Sequence, residues 1–396
     1  MLQKRKISFD ILDSIRGIAS LYVAIAHCRG VLWIGGSEFL KKFPRSTWDI
    51  GDYLMFGTSM LTRLAVEFVI VFFVLSGFSI AHSLSTDKSP LQFYKRRFIR
   101  IYPSYFVALV WAALVFIVTR YWHPEWYNGD TFQTAINAGI SPGNIPFIRS
   151  EEMNSYFNGE VIAKNLIYMP GGGYITPFWS LTYEVIFYLL APFLLRKINL
   201  YAGISTALFL INFIAPATVH SIGLPIYIYE FLFTYNIYFV AGILLYAHFE
   251  KVNKLVANFS KVQLLLLIGL ALAAMYGINF YMQRENNYSF LSSAALGILL
   301  IIFFLKYQLR IPWLMSVGRA SYSLYITHFA SVFLYLGIYW LIVKPQLPYI
   351  LNYFVWMPAV LFVLLMGWIQ YSLVEKRTKN LLNFLRKKSD NSKPEA

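Results

Sequence analysis

Long apolar runs separated by short polar segments are the main pattern along this chain. A helix that crosses a membrane needs about 20 consecutive, mostly apolar residues, and windows of that length detect ten such runs. They lie at about residues 12–33, 64–84, 100–121, 177–195, 199–217, 226–248, 262–282, 288–305, 320–342 and 350–373. The first run is the least apolar, since it contains Asp13, Arg16 and His27. The pattern predicts an all-α, polytopic membrane helical bundle of about ten transmembrane helices.

The composition agrees with a membrane protein and excludes other classes. Of the 396 residues, 58% are hydrophobic and only 13% are charged, whereas soluble globular chains have about 45–50% and about 25%. So few charged residues cannot cover a water-facing surface. Aromatic residues make up 18% of the chain, which excludes intrinsic disorder. A single cysteine cannot form an internal disulfide.

The net charge of +15 is explained by orientation in the membrane, because cytoplasmic loops are enriched in Lys and Arg. Ten spans place both termini on one side, and that side has about twice as many basic residues as the other. The richer set is Lys4, Arg5, Lys6, Lys88, Lys95, Arg96, Arg97, Arg100, Arg196, Lys197, Lys251, Lys254, Lys261, Lys306, Arg310 and the tail from Lys376 to Lys393. The poorer set is Lys41, Lys42, Arg45, Arg63, Arg149, Lys164, Arg284, Lys344 and, near helix ends, Arg29 and Arg120. We therefore predict that both termini are cytoplasmic and that no nucleic acid is bound.

The domain organisation follows from the same pattern. The basic N-terminus resembles the start of a signal peptide, but Asp13 and Arg16 interrupt the next apolar run, so we predict a retained helix. Residues 1–376 are expected to form one membrane-embedded domain and 377–396 a short basic cytoplasmic tail, with no separate soluble domain. Two longer loops, 34–63 and 122–176, are predicted outside. The second is either a lid over an acceptor or a simple connector.

The first span has the most informative ionisable residues. Arg16 and His27 are eleven residues apart, so both side chains share one helix face, about 16 Å apart along the axis. Asp13, three residues before Arg16, is close enough to pair with it. A cytoplasmic cation is typical of a phosphate-binding site, and a deeper histidine is suited to proton transfer. The alternative is that Arg16 anchors the helix at the headgroups and His27 is a hydrogen-bonded core residue.

Three further clusters combine ionisable and polar residues. Arg97 and Arg100 share a helix face and form either a phosphate-binding mouth with Arg16 or only a topogenic signal. Glu184 lies inside the fourth span, where it either orients a histidine, as carboxylates do for catalytic imidazoles, or is a buried hydrogen-bonding group. The third cluster, in the ninth span, has polar residues at helical spacings. Its last residue, His328, is either a second pocket residue or a packing residue. Its members are Ser321, Tyr322, Tyr325 and His328. No zinc-ligand spacing or phosphate-binding loop is present, so no metal is predicted.

Five segments, taken in order, resemble the acyltransferase-3 family of membrane acyltransferases. They are LDSIRG at 12–17 with ten residues between Arg16 and His27, FFVLSGF at 72–78, RFIRIYP at 97–103, FWSLTYE at 178–184 and GRASYSLYITH at 318–328. The resemblance extends from about residue 9 to 376. One position departs from the pattern, because Ile70 stands where many members have an acidic residue, and Glu67 lies three residues earlier. The extended form of the family adds a soluble hydrolase-like domain, so we expect this membrane domain to act alone or with a partner.

The resemblance implies transfer of an acyl group, usually acetyl, from a coenzyme A thioester to a hydroxyl of a carbohydrate or lipid-linked glycan in a bacterial cytoplasmic membrane. His27 is then expected to be the general base or a transiently acylated nucleophile, with Glu184 orienting it. Arg16, Arg97 and Arg100 are expected to contact the coenzyme A phosphates, and Ser321 or Tyr322 the thioester or its oxyanion. Membrane lipid is an expected partner and a homodimer stays open.

A membrane transporter of a small metabolite or glycan precursor is the main alternative. Buried Arg, Glu and His residues are compatible with it. Transporters often contain paired repeats with broken helices at matching positions. The sequence shows no such repeat, which favours the enzyme.

Overall fold

A computed structural model describes residues 7–33, 36–86, 89–137, 154–155, 157–169, 176–282, 287–343 and 353–382. Within these ranges helices are the only regular secondary structure. The first half of the chain forms α1 (Leu12–Leu32), α2 (Gly36–Lys42), α3 (Ile50–Leu61), α4 (Ala65–Thr86), α5 (Pro90–Trp122), α6 (Glu125–Asn128), α7 (Asp130–Asn137), α8 (Gly159–Leu166) and α9 (Trp179–Leu194). The second half forms α10 (Ile198–Ile214), α11 (Pro216–His220), α12 (Ile226–Glu230), α13 (Asn236–Ala247), α14 (Phe249–Leu255), α15 (Lys261–Met282), α16 (Asn287–Lys306), α17 (Pro312–Arg319), α18 (Ser321–Val343) and α19 (Tyr353–Gln370).

Short 3₁₀ and π-helical segments connect or extend several of these helices. Four are 3₁₀ turns, at Phe9–Ile11, Arg45–Thr47, Thr176–Phe178 and Leu195–Lys197. Two are π-helical segments, Phe231–Tyr235 between α12 and α13 and Tyr371–Glu375 after α19. The chain therefore passes from α12 to α13 and beyond α19 with a local change of helical pitch. Such π-helical segments occur often at functional sites.

Each of the ten predicted apolar segments lies largely in helix, which confirms the all-α membrane fold. By length and composition, eight helical stretches within the described ranges are long and apolar enough to cross a membrane. They are Ile50–Thr86, Pro90–Trp122, Trp179–Ile214, Ile226–Ala247, Lys261–Met282, Asn287–Lys306, Ser321–Val343 and Val355–Leu382. The predicted spans 177–195 and 199–217 fall in one of them, because the turn Leu195–Lys197 joins α9 directly to α10.

Three details differ from the sequence-based expectation. The helix α1, which contains Asp13, Arg16 and His27, is not among the eight stretches. The predicted outer loop 34–63 contains α3, an apolar helix that begins in a capping box between Asp49 and Asp52. The predicted tail starts as helix, since the last apolar stretch continues to Leu382. The rest of the tail, and the glycine-rich part of the second outer loop around 170–175, lie outside the described residues.

The chain folds into two compact units whose segments alternate along the sequence. The first unit contains Met1–Leu21, Val66–Arg97 and Trp179–Arg319. The second contains Tyr22–Ala65, Phe98–Phe178 and Ala320–Ala396. The helices α1 and α5 each contribute residues to both.

Glycines allow very close helix packing in the first unit. A Cβ on Gly77 of α4 would lie 2.0 Å from the carbonyl oxygen of Phe239, and a Cβ on Gly242 of α13 would lie 2.0 Å from that of Val74. The helices α4 and α13 therefore touch through their backbones, as small residues permit in membrane helix pairs. Gly17 of α1 lies in the same way against the carbonyl of Leu314 in α17.

The second unit is built around α18 and α19, which pack along their lengths. Near one end, Gly367 lies against Leu324, where a Cβ would come within 2.9 Å of the leucine α-carbon. Two hydrogen bonds join these helices to other parts of the unit. Gln370 Nε2 donates to the carbonyl of Ser104 at 2.9 Å, and the Tyr325 hydroxyl donates to the carbonyl of Pro177 at 2.7 Å. The middle of α18 is buried, which fixes the side chains on its polar face.

Candidate functional site

Two histidines face each other in the second unit. His27 lies in α1 and His328 in α18, and their ring centroids are 4.9 Å apart. The Nε2 atom of His328 is 3.3 Å from the Nδ1 atom of His27. His328 is 1% exposed, whereas His27 is partly accessible. The sequence predicted a catalytic role for His27 and either a pocket role or a packing role for His328. In the structure the two rings lie side by side.

Backbone carbonyls determine where each neutral ring carries its proton. The Nδ1 atom of His27 is 2.9 Å from the carbonyl oxygen of Val23, and that of His328 is 2.6 Å from the carbonyl oxygen of Tyr325. Because a carbonyl oxygen only accepts, both rings are assigned the proton on Nδ1. The Nε2 atom of His328 then faces the His27 Nδ1–H as an acceptor. The Nε2 atom of His27 keeps its lone pair and has no hydrogen bond within the described ranges.

An aromatic ring lies beside the histidine pair, and a serine lies one turn further along α18. Phe329 stands edge-on to the His27 ring, with the planes at 88° and the centroids 6.2 Å apart. One turn further along α18, Ser331 accepts a hydrogen bond from Trp111 at 3.3 Å. An imidazole with a lone pair in such a setting is available to accept a proton from a bound hydroxyl.

Glu184 lies in a polar cluster of the first unit. Its carboxylate accepts hydrogen bonds from the hydroxyls of Ser76, at 3.1 Å, and Tyr188. The Arg97 guanidinium lies over the Tyr188 ring, 5.3 Å from its centroid. Three of the sequence motifs thus meet here, one each from α4, α5 and α9. The described partners of Glu184 are these hydroxyls, and those of His27 are Val23 and His328, so an orienting role for Glu184 stays a prediction.

The three predicted phosphate-binding arginines differ in their contacts. The Arg16 guanidinium donates to the Asp13 carboxylate and to the Ser79 hydroxyl, both at 2.8 Å, and each member of the ion pair is 20% exposed. Arg97 is half-buried, and its guanidinium also lies over the Phe93 ring, 5.5 Å from the centroid. Arg100, three residues further along α5, is exposed. Each keeps some access for an anionic ligand, and their assignment to coenzyme A stays a prediction.

The start of α18 contains the remaining predicted residues. Ser321 is 7% exposed, and the Tyr322 hydroxyl donates to the carbonyl of Ile101 in α5 at 3.2 Å. Their roles at a thioester are still predictions. Between them and His328, Ser323 donates through its backbone N–H, at 3.2 Å, and its hydroxyl, at 2.6 Å, to the carboxylate of Glu375. Lys379 pairs with the other oxygen of Glu375 at 2.6 Å.

Three buried or partly buried carboxylates were not given a role by the sequence reasoning. Glu230 in α12 accepts from the Tyr183 hydroxyl, and Glu375 is 1% exposed. Glu67 in α4 is fully buried and accepts from Asn279 at 2.7 Å and Ser289 at 3.0 Å. The signal that would have found them is the rule that an acidic residue within an apolar run has a specific polar partner.

Comparisons with known proteins agree with the motifs. A family model described as an acyltransferase domain, that of the acyltransferase-3 family, matches residues 9–369. No solved structure gives a significant match.

Two curated proteins are similar to parts of the chain. "Protein 2 in picA locus" of Rhizobium radiobacter is 32% identical over 114 residues, which are 28% of this chain and 46% of that protein. "Acyltransferase MdmB" of Streptomyces mycarofaciens is 30% identical over 186 residues, which are 43% of this chain and 42% of that protein. The chain thus spans less than half the length of each of these relatives. Since the family model covers nearly the whole chain, this protein belongs to the acyltransferase-3 family.

Proposed function

We propose that this protein is a membrane acyltransferase that transfers an acyl group, expected to be acetyl, from acyl-coenzyme A to a hydroxyl of a carbohydrate or lipid-linked glycan. The donor approaches from the cytoplasm and the acceptor from the outer half of the membrane. The family supports acyl transfer by a membrane protein. The histidine pair of the second unit supports the finer assignment.

The observation that carries the proposal is the contact of each Nδ1 atom of the histidine pair with a backbone carbonyl. His27 Nδ1–H is held by the Val23 carbonyl and faces His328, so the lone pair of Nε2 is available. In the proposed step, Nε2 removes the proton of the acceptor hydroxyl as its oxygen attacks the thioester carbonyl. The carbon–sulfur bond breaks, and the coenzyme A thiolate receives the proton from His27. Every bond, proton and electron pair of this step is then accounted for without a metal ion.

A covalent route uses the same atom. His27 Nε2 would attack the thioester carbonyl, and the carbon–sulfur bond would break to release the coenzyme A thiolate. In a second step the acceptor hydroxyl would attack the acyl group, the carbon–nitrogen bond to His27 would break, and the hydroxyl proton would pass to the thiolate. Rapid acid quenching without acceptor, followed by mass spectrometry of the peptide containing His27, distinguishes the two routes. An acyl increment on this peptide indicates the covalent route, and its absence together with acceptor-dependent turnover indicates the general base.

The cytoplasmic end is proposed to hold the donor. Arg16, Arg97 and Arg100 are cations on the side where coenzyme A is found, by the predicted topology. Guanidinium groups suit phosphates because they present several N–H donors in a planar fork. The Glu184 cluster keeps Arg97 in place through Tyr188.

The test separates an enzyme from a transporter. Purified protein in vesicles receives acetyl-coenzyme A and candidate glycan acceptors, and free thiol is measured. Thiol release that requires an acceptor supports the proposal, whereas movement of a solute across the vesicle without thiol release contradicts it. Mass spectrometry of surface glycans from cells with and without the gene then identifies the acceptor by a lost acetyl increment.

A further inference from the structure

One face of the helix α3 is apolar and exposed. Four of its large side chains are more than half exposed, namely Ile50, Tyr53, Leu54 and Leu61. They are spaced at i, i+3, i+4 and i+11, which places them on one face of the helix. Gly57 lies on the same face, and a Cβ at this position would meet nothing within 4 Å. The exposed face is therefore apolar along the whole helix.

The opposite face of α3 is packed within the second unit. Met55 and Ser59 are buried there. A Cβ on Gly36 of α2 would lie 2.7 Å from the Cε atom of Met60, so α2 packs closely against this side. Because one side of α3 is held by protein, the direction of its apolar face is fixed.

The end of α3 is tied to α1 by Tyr22. The Tyr22 hydroxyl donates to the carbonyl of Leu61 at 2.6 Å and accepts from the backbone N–H of Leu64 at 3.2 Å. These two bonds hold both ends of the segment 61–64 against α1.

The same segment lies at the depth of His27. The Arg29 Nε–H donates to the Thr62 hydroxyl at 3.2 Å. Tyr22 and Arg29 are seven residues apart on α1, which is about 10 Å along the helix axis. The segment 61–64 is bonded to both, so it lies beside the stretch of α1 between them, and this stretch contains His27.

This segment also marks a boundary of the hydrocarbon layer. The membrane-spanning helix α4 begins at Ala65. Only three residues separate α3 from α4, and three residues reach at most about 10 Å. The 12 residues of α3 are about 18 Å long, too short to cross a hydrocarbon core of about 30 Å. The helix α3 therefore lies where the chain enters the membrane, without crossing it.

The start of α3 has residues that are typical of a membrane surface. Asp49 and Asp52 form a capping box, so two carboxylates lie at this end of the helix. The Trp48 ring stands edge-on to the Tyr53 ring, with the centroids 5.0 Å apart, and its Nε1–H donates to the carbonyl of Phe43 at 2.8 Å. Trp and Tyr are enriched at membrane–water interfaces.

We propose that α3 is an interfacial helix whose exposed apolar face contacts lipid, at the boundary between headgroups and hydrocarbon on the predicted outer side. Helices of this kind bury an apolar face about 5–10 Å into that boundary. Through the segment 61–64, the same contact places His27 near the edge of the hydrocarbon layer and not at its centre. The lipid contact does not depend on the enzyme activity. One consequence rests on the proposed function, namely that the acceptor hydroxyl has to reach only this edge to meet His27.

Spin labels on the exposed face test the proposal. Ile50→Cys, Leu54→Cys and Leu61→Cys are made in the full chain, labelled with a nitroxide and reconstituted in vesicles of phosphatidylethanolamine and phosphatidylglycerol. Ser46→Cys, an exposed position just before α3, is the matched control. Wild type, whose Cys28 is fully buried, gives the background labelling. Power saturation in electron paramagnetic resonance measures collisions with oxygen, which concentrates in lipid, and with a water-soluble nickel chelate.

The expected result is a lipid-like environment along the whole face. The ratio of oxygen to nickel collision rates should be higher at positions 50, 54 and 61 than at 46. The depth calculated from this ratio should lie within about 5–10 Å of the headgroup boundary. Three labelled positions keep the test decisive if one variant fails to fold.

Other results would contradict the proposal in distinct ways. Nickel access at all three positions equal to that of Ser46→Cys would place the face in water. Low collision rates with both agents would mean that protein covers the face, and dipolar broadening between labels would identify this protein as a second copy. A depth near the bilayer centre would overturn the interfacial position. If acceptor-dependent thiol release is absent while the labels give the expected depth, the acyltransferase proposal fails and the interfacial helix stands.

Discussion

The Nε2 atom of His328 lies 3.3 Å from the Nδ1 atom of His27, so one imidazole supports the other. In the familiar catalytic triad a carboxylate occupies this position and stabilises the imidazolium. Here the partner is a neutral ring whose own Nδ1–H is held by the Tyr325 carbonyl. When His27 gains a proton at Nε2, its hydrogen bond to His328 becomes charge-assisted and stronger. His328 is therefore a positioning residue in this account.

Replacing His328 should slow the chemical step and leave donor binding unchanged. The variant His328→Phe keeps a ring of similar size but removes the acceptor nitrogen. We expect kcat to fall about tenfold to a hundredfold, because a charge-assisted hydrogen bond is worth about 1.5–3 kcal/mol, and KM for acyl-coenzyme A to stay within a factor of two, roughly. Steady-state thiol release measures both constants.

A buried histidine elsewhere in the same unit supplies the control. His123 is 3% exposed and forms a hydrogen bond to the carbonyl of Gly337 at 2.9 Å. His123→Phe should reduce thermal stability with little change in kcat per folded molecule. Equal losses of kcat in both variants would mean that His328 acts only through packing.

The backbone contact at Gly77 predicts a clear effect on stability. A Cβ at this position would lie 2.0 Å from the Phe239 carbonyl oxygen, so Gly77→Ala must separate α4 from α13. Overpacking of this kind costs about 1–3 kcal/mol, and we expect a lower unfolding temperature in detergent. Gly269→Ala, whose Cβ meets nothing within 4 Å, should leave the unfolding temperature unchanged or raise it. Similar values for both variants would contradict the close crossing.

The topology can be tested with the single native cysteine as background. Cys28 is fully buried, so it should react slowly with a membrane-impermeant maleimide. Ala163→Cys, in the predicted outer loop, should be labelled in intact spheroplasts, and Lys197→Cys only after permeabilisation. Both introduced positions are exposed. Labelling of Lys197→Cys from outside would overturn the orientation inferred from the basic residues.

An ion pair near the N-terminus should stabilise the fold only above strongly acidic pH. The pKa of the Asp10 carboxyl is held below its usual value by the Ser8 hydroxyl and then by the Arg310 guanidinium. Arg310 lies 3.0 Å from the carboxylate. A depressed carboxyl pKa adds stability that is complete above the unfolded pKa, about 3.9, and disappears as pH falls through the lower folded value.

The measurement is the free energy of unfolding of wild type minus that of Arg310→Gln as a function of pH. We expect a constant difference above about pH 5 and a decline below about pH 4. Since both side chains are about half exposed, the difference should stay below about 1 kcal/mol. A difference that grows on acidification would contradict the ion pair.

Most of the helical architecture was predictable from the sequence, because length and apolarity alone identify membrane segments. The exceptions have physical causes. The helix α3 lies in a segment predicted as a loop, because its 12 residues are fewer than a membrane span needs. Asp49 and Asp52 form its N-terminal cap. Division into two units was not predictable, since it depends on which distant helices pack together.

Single residues of the site were predictable from the sequence, but the contacts between them were not. An ionisable side chain in an apolar run is visible in one sequence, and this selected His27, Glu184 and Arg16. Its partner 301 positions away is not visible, which is why His328 was left undecided. The carbonyl groups that fix the histidine protons belong to the helical backbone and have no sequence signal.

The central claim is that His27 Nε2 activates the acceptor, and the turnover of His27→Ala tests it most directly. Labelled acetyl-coenzyme A and an accepted glycan are mixed with wild type, His27→Ala and the control His220→Ala, whose ring stacks on Tyr229 at 4.3 Å. Loss of general base catalysis costs about 10²–10⁴-fold, so we expect a loss of this size in acyl transfer for His27→Ala and near wild-type transfer for the control. Near wild-type transfer by folded His27→Ala would contradict the account.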